Sequence, residues 1–461
     1  MNNLVNFLQK TDLSKFFIFL LIITTIVIMA INFQIYDPIY GYDAEAHYNY
    51  IDFFSMYLPD TIKIPTSEDT REFFSPPLPY VFPSSVIVVC RNLIESTNYV
   101  EDCRPYMSKI SQLFQIALFF LSLFFYTKIA KLLYPKSREA TFVILLLILI
   151  QTVNYRTFLM IRGEPYIIFF QSLLLYFFCK KFINLERFDL KDSLIVGILI
   201  GFLGLSKQWA FLLFPSYFFI LFFLKTKKSK KEFFKFITVA FLIAFILCGW
   251  FYINLLFNEG SPIAFNHPSK SFDLRNQPLD FYFSFEANLQ LFTNPIRPNF
   301  DNQLFPIIYS DLWGDYWGYF TFVLSGWDFG RNQETIGSYL GRINLLSLIP
   351  TYIYLFGFFI SFKLLNKKNR NQNDIFKILI QLGVVFTFIG YLWFTIRYPA
   401  KPSGDTIKAT YMIQLFHLIA FLGLDVLERF KNKSYQRYIL FIASMIIVYF
   451  HNLPAMITHY L

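Results

Sequence analysis

The chain is organised by apolar runs that approach the length of a bilayer crossing, and this limits what it can fold into. A spanning helix needs about 20 mostly apolar residues, and within the hydrocarbon core each backbone amide must be bonded inside the structure. Runs of this kind fall near 15–33, 109–127, 140–157, 165–182, 193–206, 209–224, 236–257, 343–362, 376–395, 409–427 and 438–452. Lys207 leaves the division of 193–224 open. The expected fold is an all-α polytopic membrane protein with about eleven transmembrane helices. With 55% hydrophobic and 16% charged residues, a soluble domain would carry too little charge to stay dispersed. The stretch YVFPSSVIVVCRNLI at 80–94 is short and proline-punctuated, and reads as an interfacial or re-entrant helix.

The runs divide the chain into an N-terminal module (1–257), a long loop (258–342) and a C-terminal group of helices (343–461). Basic residues favour the cytoplasmic side. KTKKSKKEFFK and FKLLNKKNRNQND share that side if the N-terminus lies inside, which puts the loops 34–108 and 258–342 outside. A spanning 80–94 segment would turn the basic runs outward. The net charge of +10 then belongs to topology and to anionic headgroups, and nucleic acid is not an expected partner. The first run is long and no small-residue cleavage site clearly follows it, so it reads as an anchor, not a cleaved signal peptide. A bacterial inner (plasma) membrane is the expected location, and the Phe-, Ile-, Asn- and Lys-heavy composition suggests an AT-rich genome. Cys90 and Cys103 share an outward loop. An oxidising compartment would permit a disulfide between them, but spacing does not decide it. Cys179 and Cys248 fall inside spans and read as packing residues.

Just after the first run comes YGYDAEAHYNYI, with Asp43, Glu45 and His47. Ionisable groups at a membrane mark chemistry, transport or headgroup contact. The plainer alternative makes Asp43 the N-cap of an interfacial helix. Against it stand the position at the bilayer surface and the following REFFSPPLPYVFP, where Arg71 and Glu72 lead into a proline-stiffened turn. The flanking tyrosines and phenylalanines suit a sugar ring or a polyprenyl chain.

Asp43, Glu45, His47, Tyr50 and Ile51, followed by Pro76, Pro77, Leu78 and Tyr80, resemble the first outward loop of the GT-C superfamily of lipid-dependent glycosyltransferases. The resemblance is to the branch of protein O-mannosyltransferases and aminoarabinose transferases. It covers about the first 210 residues by motif and the remainder by layout. Two departures are visible: Ala44 separates acids that the branch keeps adjacent, and Ser75 stands where aminoarabinose transferases place a lysine. The resemblance implies transfer of a sugar from a polyprenyl-phosphate donor to a lipid, glycan or protein acceptor outside the membrane. It also implies an acidic residue at the turn holding Glu164, and a basic residue opening a "KA.Y" helix, here Lys408, Ala409 and Tyr411.

In that chemistry a carboxylate takes the acceptor hydroxyl's proton, and cations neutralise the departing phosphate. Asp43 is the expected base, with Glu45 positioning the acceptor or sharing a divalent metal with Asp43 and Glu164. Direct attack would invert the anomeric centre. Arg162, Lys207, Arg397 and Lys408 are the phosphate candidates, with Lys401 nearby. Each has a bland alternative as a membrane-anchoring or snorkelling flank. His47, Arg71 and Glu72 are supporting candidates. In SDLWGDYWGYF, Asp311, Trp313 and Asp315 could bind acceptor, or the tryptophans could belong to the interface belt.

No P-loop, dinucleotide glycine motif, HExxH or CxxC pair is present, which argues against ATP-driven transport and zinc peptidase chemistry. The competing reading is a transporter or lipid-linked glycan flippase, which would favour two similar halves with charges near the midplane. A non-catalytic assembly subunit requires the acidic motif to be inert.

Overall fold

The computed structural model describes residues 13–94, 98–184, 187–321, 333–400 and 403–459. Among these the regular secondary structure is entirely helical. Eight helices among the described residues are long and apolar enough to cross a bilayer: Ser14–Ile35, Val100–Leu133, Glu164–Ile183, Lys227–Glu259, Glu334–Leu365, Gln372–Arg397, Ala409–Lys433 and Tyr435–Met456. This is the architecture of a multi-pass membrane protein. Three of the expected runs form shorter elements. Ala140–Leu149 has 10 residues, about 15 Å at 1.5 Å per residue. Leu190–Ser206 has 17, and Gln208–Phe223 breaks into 3-10 and α turns around Pro215, whose missing amide interrupts the ladder. The 80–94 stretch lies within a 17-residue helix, Leu78–Ile94.

We label the elements that position the site α1 (Ala44–Tyr57), α2 (Glu164–Ile183), α3 (Leu190–Ser206), α4 (Lys227–Glu259), α5 (Gln372–Arg397) and α6 (Ile413–Lys433). The helix containing α6 is buried among its neighbours from Ala409 to Glu428, and only its last turn is exposed. α3 and α4 pack closely because Gly197 and Gly201 share one face; a Cβ on Gly197 would lie 2.7 Å from the Ala240 carbonyl oxygen. Small residues four apart let helix backbones approach in this way.

Polar contacts mark the two ends of the bundle. At one end Asp425 accepts from Tyr134 Oη (2.6 Å) and Arg429 Nε (2.8 Å), and Glu428 accepts from Ser137 Oγ (2.7 Å). At the other, Asn32 bonds the Met456 carbonyl and the Thr458 amide, both 2.8 Å, and Lys109 Nζ bonds the Phe33 carbonyl (2.6 Å). A Cys90–Cys103 disulfide at this second end joins Leu78–Ile94 to the helix that follows. Cys179 and Cys248 are free and buried, as packing residues would be.

Candidate functional site

Asp43 stands at the head of α1 with φ of 59°, in the left-handed region. Its carbonyl accepts the His47 amide (3.1 Å), but its side chain makes no capping bond. A left-handed non-glycine residue costs roughly 1–3 kcal/mol, and a missing cap about 1 kcal/mol. Asp43 occupies the N-cap position yet spends its carboxylate elsewhere: Oδ2 lies 2.8 Å from Lys408 Nζ. The Lys408 side chain is 7% exposed and that of Asp43 25%.

The pair is held from both sides. The Lys408 amide donates to Tyr391 Oη (2.9 Å), and the next amide, Ala409, to Asp311 Oδ2 (2.6 Å). Asp311 Oδ1 is paired with Arg156 Nη2 (2.7 Å), while Arg156 Nε donates to Tyr42 Oη (3.1 Å), beside Asp43. Lys408 Nζ also faces the rings of Tyr42, Tyr411 and Trp317 at 5.2, 5.4 and 5.9 Å, a cation–π setting.

Asp43 and Lys408 open into a cavity of about 290 Å³. Arg71, Glu72, His267 and Asp405 bring further charge or titratable groups to its wall, and Tyr42, Phe265, Trp317, Tyr319 and Tyr411 supply rings. Behind Glu72 lies a second carboxylate–ammonium pair, Oε2 to Lys207 Nζ at 2.8 Å. Ser75 Oγ donates to Glu72 and accepts from Lys207 Nζ (2.7 Å). His47 Nδ1 is 2.7 Å from Tyr80 Oη and 3.8 Å from Glu72 Oε2. The proline turn thus delivers Tyr80 to His47, with Tyr50 stacked on Tyr80 at 3.8 Å. Gly163 gives Lys207 its room: a Cβ there would lie 2.3 Å from the Ser206 carbonyl oxygen and 3.1 Å from Lys207 Cβ.

The charges respond to one another. Burial pushes the Asp43 and Glu72 carboxyls up, but Lys408 and Lys207 respectively outweigh it and hold both below the ordinary range. Burial works against the Lys408 ammonium, yet Asp43 keeps its pKa well above the usual value. Burial pushes His47 down to about 4, despite Glu72. Asp311 is pushed up to about 6 by burial, with Arg156 opposing.

Arg162 grips Glu164 through two bonds (2.7 and 3.2 Å) and lies 5.0 Å from the Tyr42 ring and 5.8 Å from that of Tyr411. It underlies the cavity wall. The other expected residues are elsewhere. Glu45 is exposed on α1. Arg397 stacks on Trp393 (5.2 Å) and bonds the Lys270 carbonyl (2.9 Å), and Lys401 lies outside the described residues. Trp313 is buried against Tyr354 (6.1 Å). Asp315 Oδ2 accepts the Phe320 and Thr321 amides at 2.9 and 2.7 Å. Asp311, Trp313 and Asp315 are therefore struts, while their neighbours Trp317 and Tyr319 reach the cavity. Asp43, Glu45 and Glu164 do not form a metal set, because Glu45 is exposed and Glu164 is engaged by Arg162. Among the described residues no three His, Cys, Asp or Glu side chains are placed to hold an ion.

Sequence reasoning passed over Arg156, His267 and Asp405. Arg156 had a signal, a charge inside the apolar run 140–157. The other two are brought in only by tertiary folding.

Fold and site together define a multi-pass membrane protein with a charged, aromatic-walled cavity at one end of its helical bundle. No family model matches the chain, and no curated protein or solved structure matches it.

Proposed function

We propose that the protein is an integral membrane glycosyltransferase, moving a sugar from a polyprenyl-phosphate donor to a lipid, glycan or protein acceptor on the extracytoplasmic face. The observation that carries this reading is the partly exposed Asp43 carboxylate, paired with Lys408 in a cavity walled by aromatic rings. A carboxylate, a cation and ring faces are what sugar transfer with a phosphate leaving group needs from a protein: a base, charge neutralisation and an apolar surface for the sugar.

Asp43 takes the proton from the acceptor hydroxyl. The acceptor oxygen forms a bond to the anomeric carbon as the bond from that carbon to the phosphate oxygen breaks, with inversion. The electron pair leaves on the phosphate beside Lys408, and the proton on Asp43 passes to water as the product departs. Arg71 adds charge at the wall, Trp317 and Tyr319 offer ring faces, and Lys207 holds Glu72 in the wall. No metal enters these steps.

The basic turns around 225–235 and 363–375 fit a cytoplasmic side opposite the cavity, and the disulfide fits an oxidising one. A bacterial inner membrane is the proposed location. A transporter or flippase would favour charges near the midplane; the Asp43 and Glu72 pairs lie at the bundle end. Purified protein incubated with radiolabelled polyprenyl-phosphate sugars should yield a labelled product or released sugar, and Asp43→Asn should not. Movement of substrate across vesicles without any sugar transfer would overturn the proposal in favour of transport.

A further inference from the structure

We infer that Asp43 occupies the phosphate position on Lys408 until a phosphate anion displaces it, so that arrival of the donor's phosphate is what frees the carboxylate to act. This rests on the glycosyltransferase reading for its consequence, but the exchange itself is a property of the ion pair.

Asp43 and Lys408 line the same cavity, so an incoming anion meets them as a pair. The ammonium is nearly enclosed, with Asp43 Oδ2 at 2.8 Å, Tyr411 Oη at 3.4 Å and ring faces around it. An anion in the cavity gains Nζ by taking the place of Asp43. Of the two partners, Asp43 is the one able to leave. Lys408 is pinned through its own amide by Tyr391 and through the next amide by Asp311. Among the described residues the Asp43 carboxylate makes no second hydrogen bond; it reaches the cavity surface and forgoes the capping role its position offers. Rings cannot replace the lost hydration of Lys408, so a buried ammonium there needs an anion at every stage.

Exchange also changes what the carboxylate can do. Beside an ammonium it is a weak base, since an opposite charge favours the ionised form; beside the negative charge of the donor's phosphate it binds protons more tightly. A general base works best when its pKa approaches the working pH. Donor first, acceptor second is the order that follows.

The test is phosphate binding, independent of sugar transfer. Full-length protein in detergent is titrated calorimetrically with farnesyl phosphate and, in parallel, with inorganic phosphate. An internal competitor lowers apparent affinity by the fraction of time the site is open. For a pair open about a tenth of the time, Asp43→Asn should therefore bind phosphate about tenfold more tightly than wild type. Asparagine suits the left-handed backbone at this position, so the variant should fold; its unfolding midpoint is recorded alongside. A gain for both ligands assigns the site to the phosphate group, and a gain for farnesyl phosphate alone to a lipid-borne one; either supports exchange. Unchanged or weaker binding by Asp43→Asn overturns it. Tighter binding in a protein that transfers no sugar keeps the exchange and removes the transferase reading. Transfer by wild type with unchanged phosphate affinity in the variant does the reverse.

Discussion

Arg156 and Asp311, 2.7 Å apart and both buried, connect the two strands of chain that present Asp43 and Lys408. One partner of this strut bonds Tyr42, the residue before Asp43, and the other bonds Ala409, the residue after Lys408. The distance between these two charged groups is thus set by a pair that does not itself line the cavity.

Breaking that strut on one side leaves a buried charge unpaired, an effect of about 3–5 kcal/mol. Arg156→Met should lower the thermal unfolding midpoint sharply. The double variant Arg156→Met/Asp311→Leu should recover most of the loss, as removing both partners of a buried pair often does. A double variant no more stable than Arg156→Met would count against the strut.

The second acid of the site is Glu72 and not Glu45. Glu72→Gln weakens the partner of a buried lysine and should reduce transfer by roughly 100-fold. Glu45→Gln, altering an exposed side chain, should stay within about twofold of wild type. Comparable losses in both variants would contradict the assignment.

His47 gives a pH signature with a defined sign. Its value in the folded protein, about 4, lies below the free value of about 6.5. The unfolded chain therefore takes up a proton first as pH falls. The contribution from keeping His47 neutral is complete above pH 6.5 and is lost toward pH 4, up to about 3 kcal/mol. Asp311, pushed up to about 6, acts with the opposite sign over much of this range. The informative quantity is thus the difference between wild type and His47→Gln, whose unfolding midpoints should converge as pH falls from 7 to 4. Parallel profiles would show that His47 does not titrate this way.

Gly163→Ala should displace Lys207, because the added methyl would meet the Ser206 carbonyl at 2.3 Å and the lysine stem at 3.1 Å. Transfer should fall at least tenfold, with a destabilisation of about 1–3 kcal/mol from overpacking. Full activity in this variant would mean that the position of Lys207 does not matter to the reaction.

Much of the fold was legible because apolar run length is a strong signal, and most of the runs became long helices. It failed where a run carried its own interruption, as at Pro215 within 208–223, and where polar residues end the helix beginning at Ala140. In the site, Asp43 and Lys408 could be picked out because charge at a membrane boundary is scarce. Glu45 lies exposed and outside the cavity lining, as helix geometry explains: successive residues advance about 100°, so positions two apart point to different sides. Glu72 could be nominated only as a supporting residue, since its partner Lys207 is 135 residues away. Trp313, Asp311 and Asp315 looked like ligand-binding residues because their types are the same as those of a sugar platform; burial turned them into supports.

Asp43 and Lys408 are 365 residues apart in the chain. At about 5–20 residues per second, the ribosome would add the lysine roughly 20–70 s after the aspartate. Through that interval the Asp43 carboxylate lacks its Lys408 partner, and the cavity lacks the residues Asp405, Lys408 and Tyr411. A nascent or prematurely terminated chain can therefore hold most of these membrane helices and still lack the Asp43–Lys408 pair on which the proposed reaction depends, the pair forming only as Ala409–Lys433 enters the bilayer.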